Sequence, residues 1–245
     1  MMTETKPVPS SAARATSVAD RRKLIHSKPL RPLVSASILS ADFGRLAEEG
    51  RKVIDSGAEM LHLDVMDGHF VPNLTMGPDL CAAMRRHLPD AFLDVHLMIA
   101  EPAKFIAPFA KAGADHYTFH VETCESPRES AKLAEEIRKA GMTAGLAINP
   151  PTPVEGILPH LEAFDMILVM SVNPGYSGQA FIGEVLSKTR EIADKLRENQ
   201  RLEMDGGITA ETAKGCREAG CDILAAASAI FKSSDYAAAV RGLRG

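Results

Sequence analysis

The stretch LHLDVMDGHFVPN, residues 61–73, decides the fold. Leu61, Leu63 and Val65 alternate with His62, Asp64 and Met66. Side chains of a strand point to opposite faces in turn, so one face here is wholly apolar and the other mixed. The apolar face suits packing against a layer of helices, which turns the mixed face toward an interior. DGHFVPN then ends the strand in turn-forming residues. A histidine and a carboxylate two residues apart therefore stand together at the end of an inward-looking strand.

The same kind of segment recurs along the chain. Short β-rich runs occur at 33–39, 60–66, 92–98, 116–121, 143–148, 166–171, 201–205 and 222–227, with amphipathic helical stretches between them. Gly57, Gly113, Gly141 and Gly220 each stand between a helical pattern and the next strand, as a left-handed cap requires. Strands alternating with helices over short connections build parallel βα units. Eight units in about 210 residues match a closed (β/α)8 TIM barrel, one domain over 33–245. The alternative is an open doubly wound sheet, but no GxGxxG follows the first strand.

Parity carries the reading across the barrel. Asp94, His96 and Met98 share the inward face of the third strand, and Glu203 and Asp205 that of the seventh. Barrel active sites lie at the C-terminal ends of the strands. His62, Asp64, His96 and Asp205 all fall there, on strands two, three and seven. A lone inward histidine reads as a satisfied polar group. Two imidazoles and two carboxylates converging without thiolates suit one divalent ion, Zn2+ first, with Fe2+, Mn2+ or Co2+ open. Asp94 and Glu203 sit deeper and read as supporting hydrogen-bonders. Met66, Met98 and Met170 read as core or as an apolar wall beside the ion.

A second pattern suits phosphate. NPGYSGQ (173–179), DGG (205–207) and AAS (226–228) follow the sixth, seventh and eighth strands. Glycine lets backbone N–H groups approach an anion closely, and barrels commonly bind phosphate after strands seven and eight. Asp67-Gly68 reads as turn chemistry. His69, His87, His116 and His160 read as surface or satisfied groups, and His120 as rim or support for the site.

Composition narrows the function classes. The 245 residues are 45% hydrophobic and 24% charged, with net charge -4, which makes no electrostatic case for nucleic acid or an anionic membrane. Residues 1–32 carry seven Lys/Arg against Glu4 and Asp20, net +5, leaving -9 for the rest. This segment lacks apolar periodicity and reads as a disordered basic tail. No run approaches the ~20 apolar residues of a membrane span. Cys81, Cys124, Cys216 and Cys221 show no CxxC spacing and read as reduced thiols of a cytoplasmic protein.

SASILSADF, HLDVMDGHFVPNLTMGP, DVHLM, MSVNPGYSGQAF, MDGGI and SAIF occur in that order over 33–231. In these stretches the sequence resembles the ribulose-phosphate 3-epimerase family. The resemblance implies a (β/α)8 barrel with one divalent metal on His62, Asp64, His96 and Asp205, and Asp64 and Asp205 as the acid/base pair. It implies Ser37, His96, Met66, Met98 and Met170 against a sugar-phosphate substrate. The phosphate falls to Gly175, Tyr176, Ser177, Gly178, Gly206, Gly207, Ala227 and Ser228. It also implies a homo-oligomer, dimer or hexamer. The sequence has Ala36, Ser177 and Ala227 where the family usually has Pro, Gly and Gly. Backbone N–H donors survive these changes, so phosphate binding is expected to persist, with strain wherever a positive φ is needed.

The expected reaction is C3 epimerisation between D-ribulose 5-phosphate and D-xylulose 5-phosphate. An allulose-6-phosphate epimerase would share every residue named. A decarboxylase-type barrel would carry a lysine where Met66 stands. A silent sugar-phosphate sensor would be expected to lose one of the two carboxylates, and both are present.

Overall fold

The computed structural model describes residues 17–245. The strands are β1 (Leu33–Ser37), β2 (Met60–Met66), β3 (Phe92–Met98), β4 (His116–His120), β5 (Thr143–Ile148), β6 (Met166–Met170), β7 (Arg201–Asp205) and β8 (Ile223–Ala226). All pair in parallel with their sequence neighbours, and β8 returns to β1, closing the expected barrel. The helices are α1 (Val18–His26), α2 (Leu46–Asp55), α3 (Pro78–His87), α4 (Ile106–Ala112) and α5 (Pro127–Lys139), followed by α6 (Val185–Ala193), α7 (Ala210–Glu218), α8 (Ser228–Phe231) and α9 (Tyr236–Arg244). Between β5 and β6 there is no α-helix; two 3-10 turns, Val154–Gly156 and Leu158–Ala163, cover the sheet instead. Pro150, Pro151, Pro153 and Pro159 crowd that segment, and proline interrupts helical hydrogen bonding.

Local chemistry starts the helices. Ser126 accepts from Glu129 N and Pro127 occupies the first turn of α5, where its missing N–H costs nothing. Thr209 and Thr212 close a reciprocal capping box on α7. The four glycines expected to cap helices, at 57, 113, 141 and 220, all have positive φ. Outward strand residues such as Leu61, Leu63, Val95 and Leu97 join one continuous core with the helices.

The interior is layered. Leu33, Met60, Phe92, Met166 and Ile223 form an apolar floor with Ile25 of α1. Above them lies a buried polar layer holding Ser35, His62, Asp94, His116, Thr118 and Glu203. The strand register sets His62 beside Asp94 and Asp64 beside His96, and Met170 beside Asp205.

The basic tail expected over 1–32 differs where the structure describes it, and residues 1–16 lie outside the described residues. Ser17 caps α1 by accepting from Asp20 N. Arg21 Nε donates to Asp115 Oδ1 at 2.8 Å, Arg201 Nε donates to the Ile25 carbonyl at 2.8 Å, and Ile25 is fully buried. Tertiary contacts, rather than a long apolar stripe, hold this helix. Among the described residues no helix is long and apolar enough to cross a membrane, and all four cysteines are free thiols.

Candidate active site at the barrel mouth

His62, Asp64, His96 and Asp205 come together as the alternation predicts, each offering a ligand atom within 4.8 Å of the others. His62 Nε2 lies 3.3 Å from His96 Nδ1, 3.4 Å from Asp64 Oδ1 and 3.8 Å from Asp205 Oδ2. His96 Nδ1 lies 3.3 Å from Asp64 Oδ1 and 3.7 Å from Asp205 Oδ2. A tetrahedral ion about 2.0–2.1 Å from each ligand sets the ligands about 3.3–3.4 Å apart. The observed spacings lie close to that value, and the donors, two imidazoles and two carboxylates, suit a divalent cation. The residues therefore fit a metal.

The layer below orients this set. Asp94 Oδ2 lies 2.7 Å from His62 Nδ1 and accepts from Ser35 Oγ at 2.9 Å. Asp94 thus accepts the Nδ1–H of His62 and turns Nε2 toward the other ligands. Glu203 behaves otherwise than expected: it approaches His62 Nδ1 at 3.7 Å, but neither of its oxygens has a hydrogen-bond partner among the described residues. Burial, then the charge of Asp94, raise its carboxyl well above the usual range.

The two mouth carboxylates sit in unlike surroundings. Burial works against ionisation of Asp64, but His62 and His96 outweigh it and hold its carboxyl well below the usual range. Ser37 Oγ also donates to Asp64 Oδ2 at 2.6 Å. Asp205 is pushed up to about 7 by burial and then by the charge of Asp64. Burial opposes charge on His62, yet Asp94 and Asp64 raise its pKa well above that of free imidazole. In both cases the field favours a positive charge between these carboxylates.

A cleft of about 320 Å³ opens above the cluster. Asp64 and Asp205 line it with Ser37 and the three methionines, Met66, Met98 and Met170. Gly175, Tyr176, Ser177, Gly178, Gly206, Gly207, Ala227 and Ser228 line its other part. His96, expected against the substrate, is wholly buried and is not among the residues that line the cleft. The condition set for strain at Ala227, a positive φ, is not met: its φ is -107°. Gly206 has φ 118° and a Cβ there would strike Val172; one at Gly207 would strike the Phe181 backbone. The two loops approach this closely where Ser171 Oγ donates to the carbonyls of Asp205 and Gly206.

Other expectations resolve individually. Asp67 Oδ1 accepts from the backbone N–H of His69 and Phe70, and Gly68 has φ 74°, as turn chemistry requires. His69 and His87 are exposed, and His160 Nδ1 pairs with Ser130 Oγ at 2.7 Å. His116 departs from the surface-or-satisfied expectation. It is fully buried, with Nδ1 2.6 Å from Thr143 Oγ1 and Nε2 without a partner among the described residues. Strand parity places it inside, a signal present in the sequence. Leu39, Val172, Gln179, Phe181 and Thr209 also line the cleft from turns and loops, where no periodicity marks them, and Thr212 lines it from the first turn of α7.

Comparison with known proteins agrees with this architecture. Residues 33–231 match the ribulose-phosphate 3 epimerase family. The chain is 46% identical over 215 residues to ribulose-phosphate 3-epimerase of Synechocystis sp., covering 86% of this chain and 93% of that protein. It is 44% identical over 216 residues to the Bacillus subtilis enzyme of the same name, covering 86% and 98%. Among solved structures, 3-hexulose-6-phosphate synthase from Salmonella typhimurium superposes with TM-score 0.64 over 86% of this chain and 96% of that one. At 17% identity, that likeness concerns the fold alone. The chain belongs to the ribulose-phosphate 3-epimerase family, and it is an isomerase, an epimerase.

Proposed function

We propose that this chain epimerises C3 of a ketose phosphate, interconverting D-ribulose 5-phosphate and D-xylulose 5-phosphate. The observation that carries the reading is the pair Asp64 and Asp205, from β2 and β7, both lining one cleft and both within ligand reach of two imidazoles. Inverting a carbon next to a ketone requires breaking C3–H on one face and forming it on the other. One carboxylate takes the C3 proton, leaving an enediolate, and the other carboxyl returns its proton to the opposite face. The roles exchange in the reverse reaction. Their unlike surroundings suit one member ionised and the other protonated.

His62, Asp64, His96 and Asp205 would hold one divalent ion, Zn2+ first, with Fe2+, Mn2+ or Co2+ as alternatives. When bound, the ion supplies positive charge against the negative charge that develops on the substrate oxygens. Met66, Met98 and Met170 add an apolar lining without competing protons. The backbone of 175–178, 206–207 and 227–228 would hold the phosphate, orienting C3 between the carboxyls. The four free thiols suit a reducing compartment, and we place the protein in the cytoplasm.

The test follows both candidate substrates in D2O, with elemental analysis of the purified protein. The expected result is turnover of D-ribulose 5-phosphate faster than of D-allulose 6-phosphate, with solvent deuterium entering at C3. Chelation abolishes it and one equivalent of metal restores it. Faster turnover of allulose 6-phosphate assigns the other substrate. Binding without deuterium uptake means a sensor, and full activity of verified metal-free protein removes the ion from the reaction.

A further inference from the structure

His120 ends β4 with its ring inside the barrel, fully buried. Its Nε2 lies 2.9 Å from His96 Nε2, and its Nδ1 lies 3.2 Å from Glu122 Oε2. The two ring centroids are 5.0 Å apart with 26° between planes. At that separation a 2.9 Å nitrogen contact joins the rings edge to edge, as a hydrogen bond does.

A nitrogen–nitrogen hydrogen bond contains one hydrogen, and the far end of this chain decides which ring supplies it. An ionised carboxylate only accepts. Glu122 Oε1 is taken by Thr152 Oγ1 at 2.5 Å and Asn149 N at 2.8 Å, which leaves Oε2 for His120. With donors converging on both of its oxygens, Glu122 serves as an acceptor only. His120 therefore presents Nδ1–H to Glu122 and a lone pair at Nε2. The shared hydrogen then belongs to His96 Nε2. His96 Nδ1 is left bare, 3.3 Å from Asp64 Oδ1 and 3.3 Å from His62 Nε2. Without this relay, Asp64 would draw the hydrogen of His96 onto Nδ1 and block the lone pair.

We propose that Glu122 and His120 are positioning residues for the metal centre, fixing His96 as its Nε2–H tautomer so that the Nδ1 lone pair faces the ion. The inference rests on the metal reading above. The two histidine ligands thus use opposite ring nitrogens. His62 is backed directly by Asp94, and His96 is backed through a second imidazole that brings in a carboxylate from the loop after β4.

The test has two readouts, neither of which is turnover. Two-bond 1H–15N spectra of metal-free wild-type protein report which His96 nitrogen carries hydrogen. Competition with a chromophoric chelator gives the Zn2+ affinity. Expected in the wild type is a bare Nδ1. Expected in His120→Phe and Glu122→Ala is a shift toward Nδ1–H, with Zn2+ affinity weakened about 10- to 100-fold. His120→Gln should restore affinity, because its carbonyl can accept from His96 while its amide donates to Glu122. A wild-type His96 carrying hydrogen on Nδ1 overturns the proposal, and that measurement needs no variant to fold. Affinity unchanged within about threefold in the Phe and Ala variants, well short of the 10- to 100-fold loss that partners of this kind carry, also overturns it. His120→Gln binding as weakly as His120→Phe overturns it too, because packing of His120 on Phe70, at 4.8 Å between centroids, would then be what matters. Failure of wild-type protein to bind Zn2+ counts against the metal reading itself and is separable, since the tautomer is read without metal.

Discussion

Asp64 and Asp205 meet the same cleft with different company. Asp64 touches Ser37, His62 and His96, whereas Asp205 sits at the end of its strand beside Gly206 with Asp64 as a like-charged neighbour. In the proposed scheme, removing either carboxylate takes away one face of the proton transfer. Asp64→Asn and Asp205→Asn should each slow the chemical step by at least about 10²-fold, read as loss of C3 deuterium exchange in D2O. Near-normal exchange in either variant would end the two-carboxylate scheme. At this scale the sequence was informative wherever strand parity applied: His62, Asp64, Asp94, His96 and Asp205 could be placed by counting in twos. Glu122 could not. It lies in a 3-10 turn beyond β4, where side-chain direction follows no fixed period, and its partners come from residues 149 and 152 on the next loop.

Strands were the most legible elements. Each β-rich run in the sequence became a strand, because in a closed parallel sheet the helices bury one face and the interior the other, which keeps every run rich in apolar residues. The fifth crossover was less legible: amphipathic spacing suggests a helix, and the prolines leave only 3-10 turns. One position in β5 shows how tightly the elements interlock. A Cβ built on Gly145 would collide with Thr118 Oγ1 and His116 Nε2 of β4. Both atoms are buried within the barrel and lack partners among the described residues, so neither can retreat to solvent. Gly145→Ala should destabilise the protein by about 1–3 kcal/mol through overpacking, measured as a lower urea midpoint. An unchanged midpoint would mean that the polar layer yields easily.

At the scale of the whole molecule, the two ends of the barrel differ. The mouth carries the loops and the ionisable cluster, while α1 crosses the other end and sets Ile25 among Leu33, Met60, Phe92, Met166 and Ile223. That role was hidden in the sequence because Leu24 and Ile25 are the only apolar residues over 20–28, a polar, basic stretch. The contacts that order it, Arg21 with Asp115 and Arg201 with the Ile25 carbonyl, span 94 and 176 residues, distances that local periodicity does not register. Ile25→Ala should cost about 2–5 kcal/mol of stability while leaving kcat near that of the wild type. Thermal unfolding alongside steady-state assays checks this, and a large fall in kcat at temperatures where the variant is folded would contradict it.

The sealed floor also constrains traffic. With one end stoppered, both stereoisomers of a substrate share a single doorway, and each must depart before the other can arrive. No complex holding both at once can form, so product should act as a purely competitive inhibitor in either direction of the reaction.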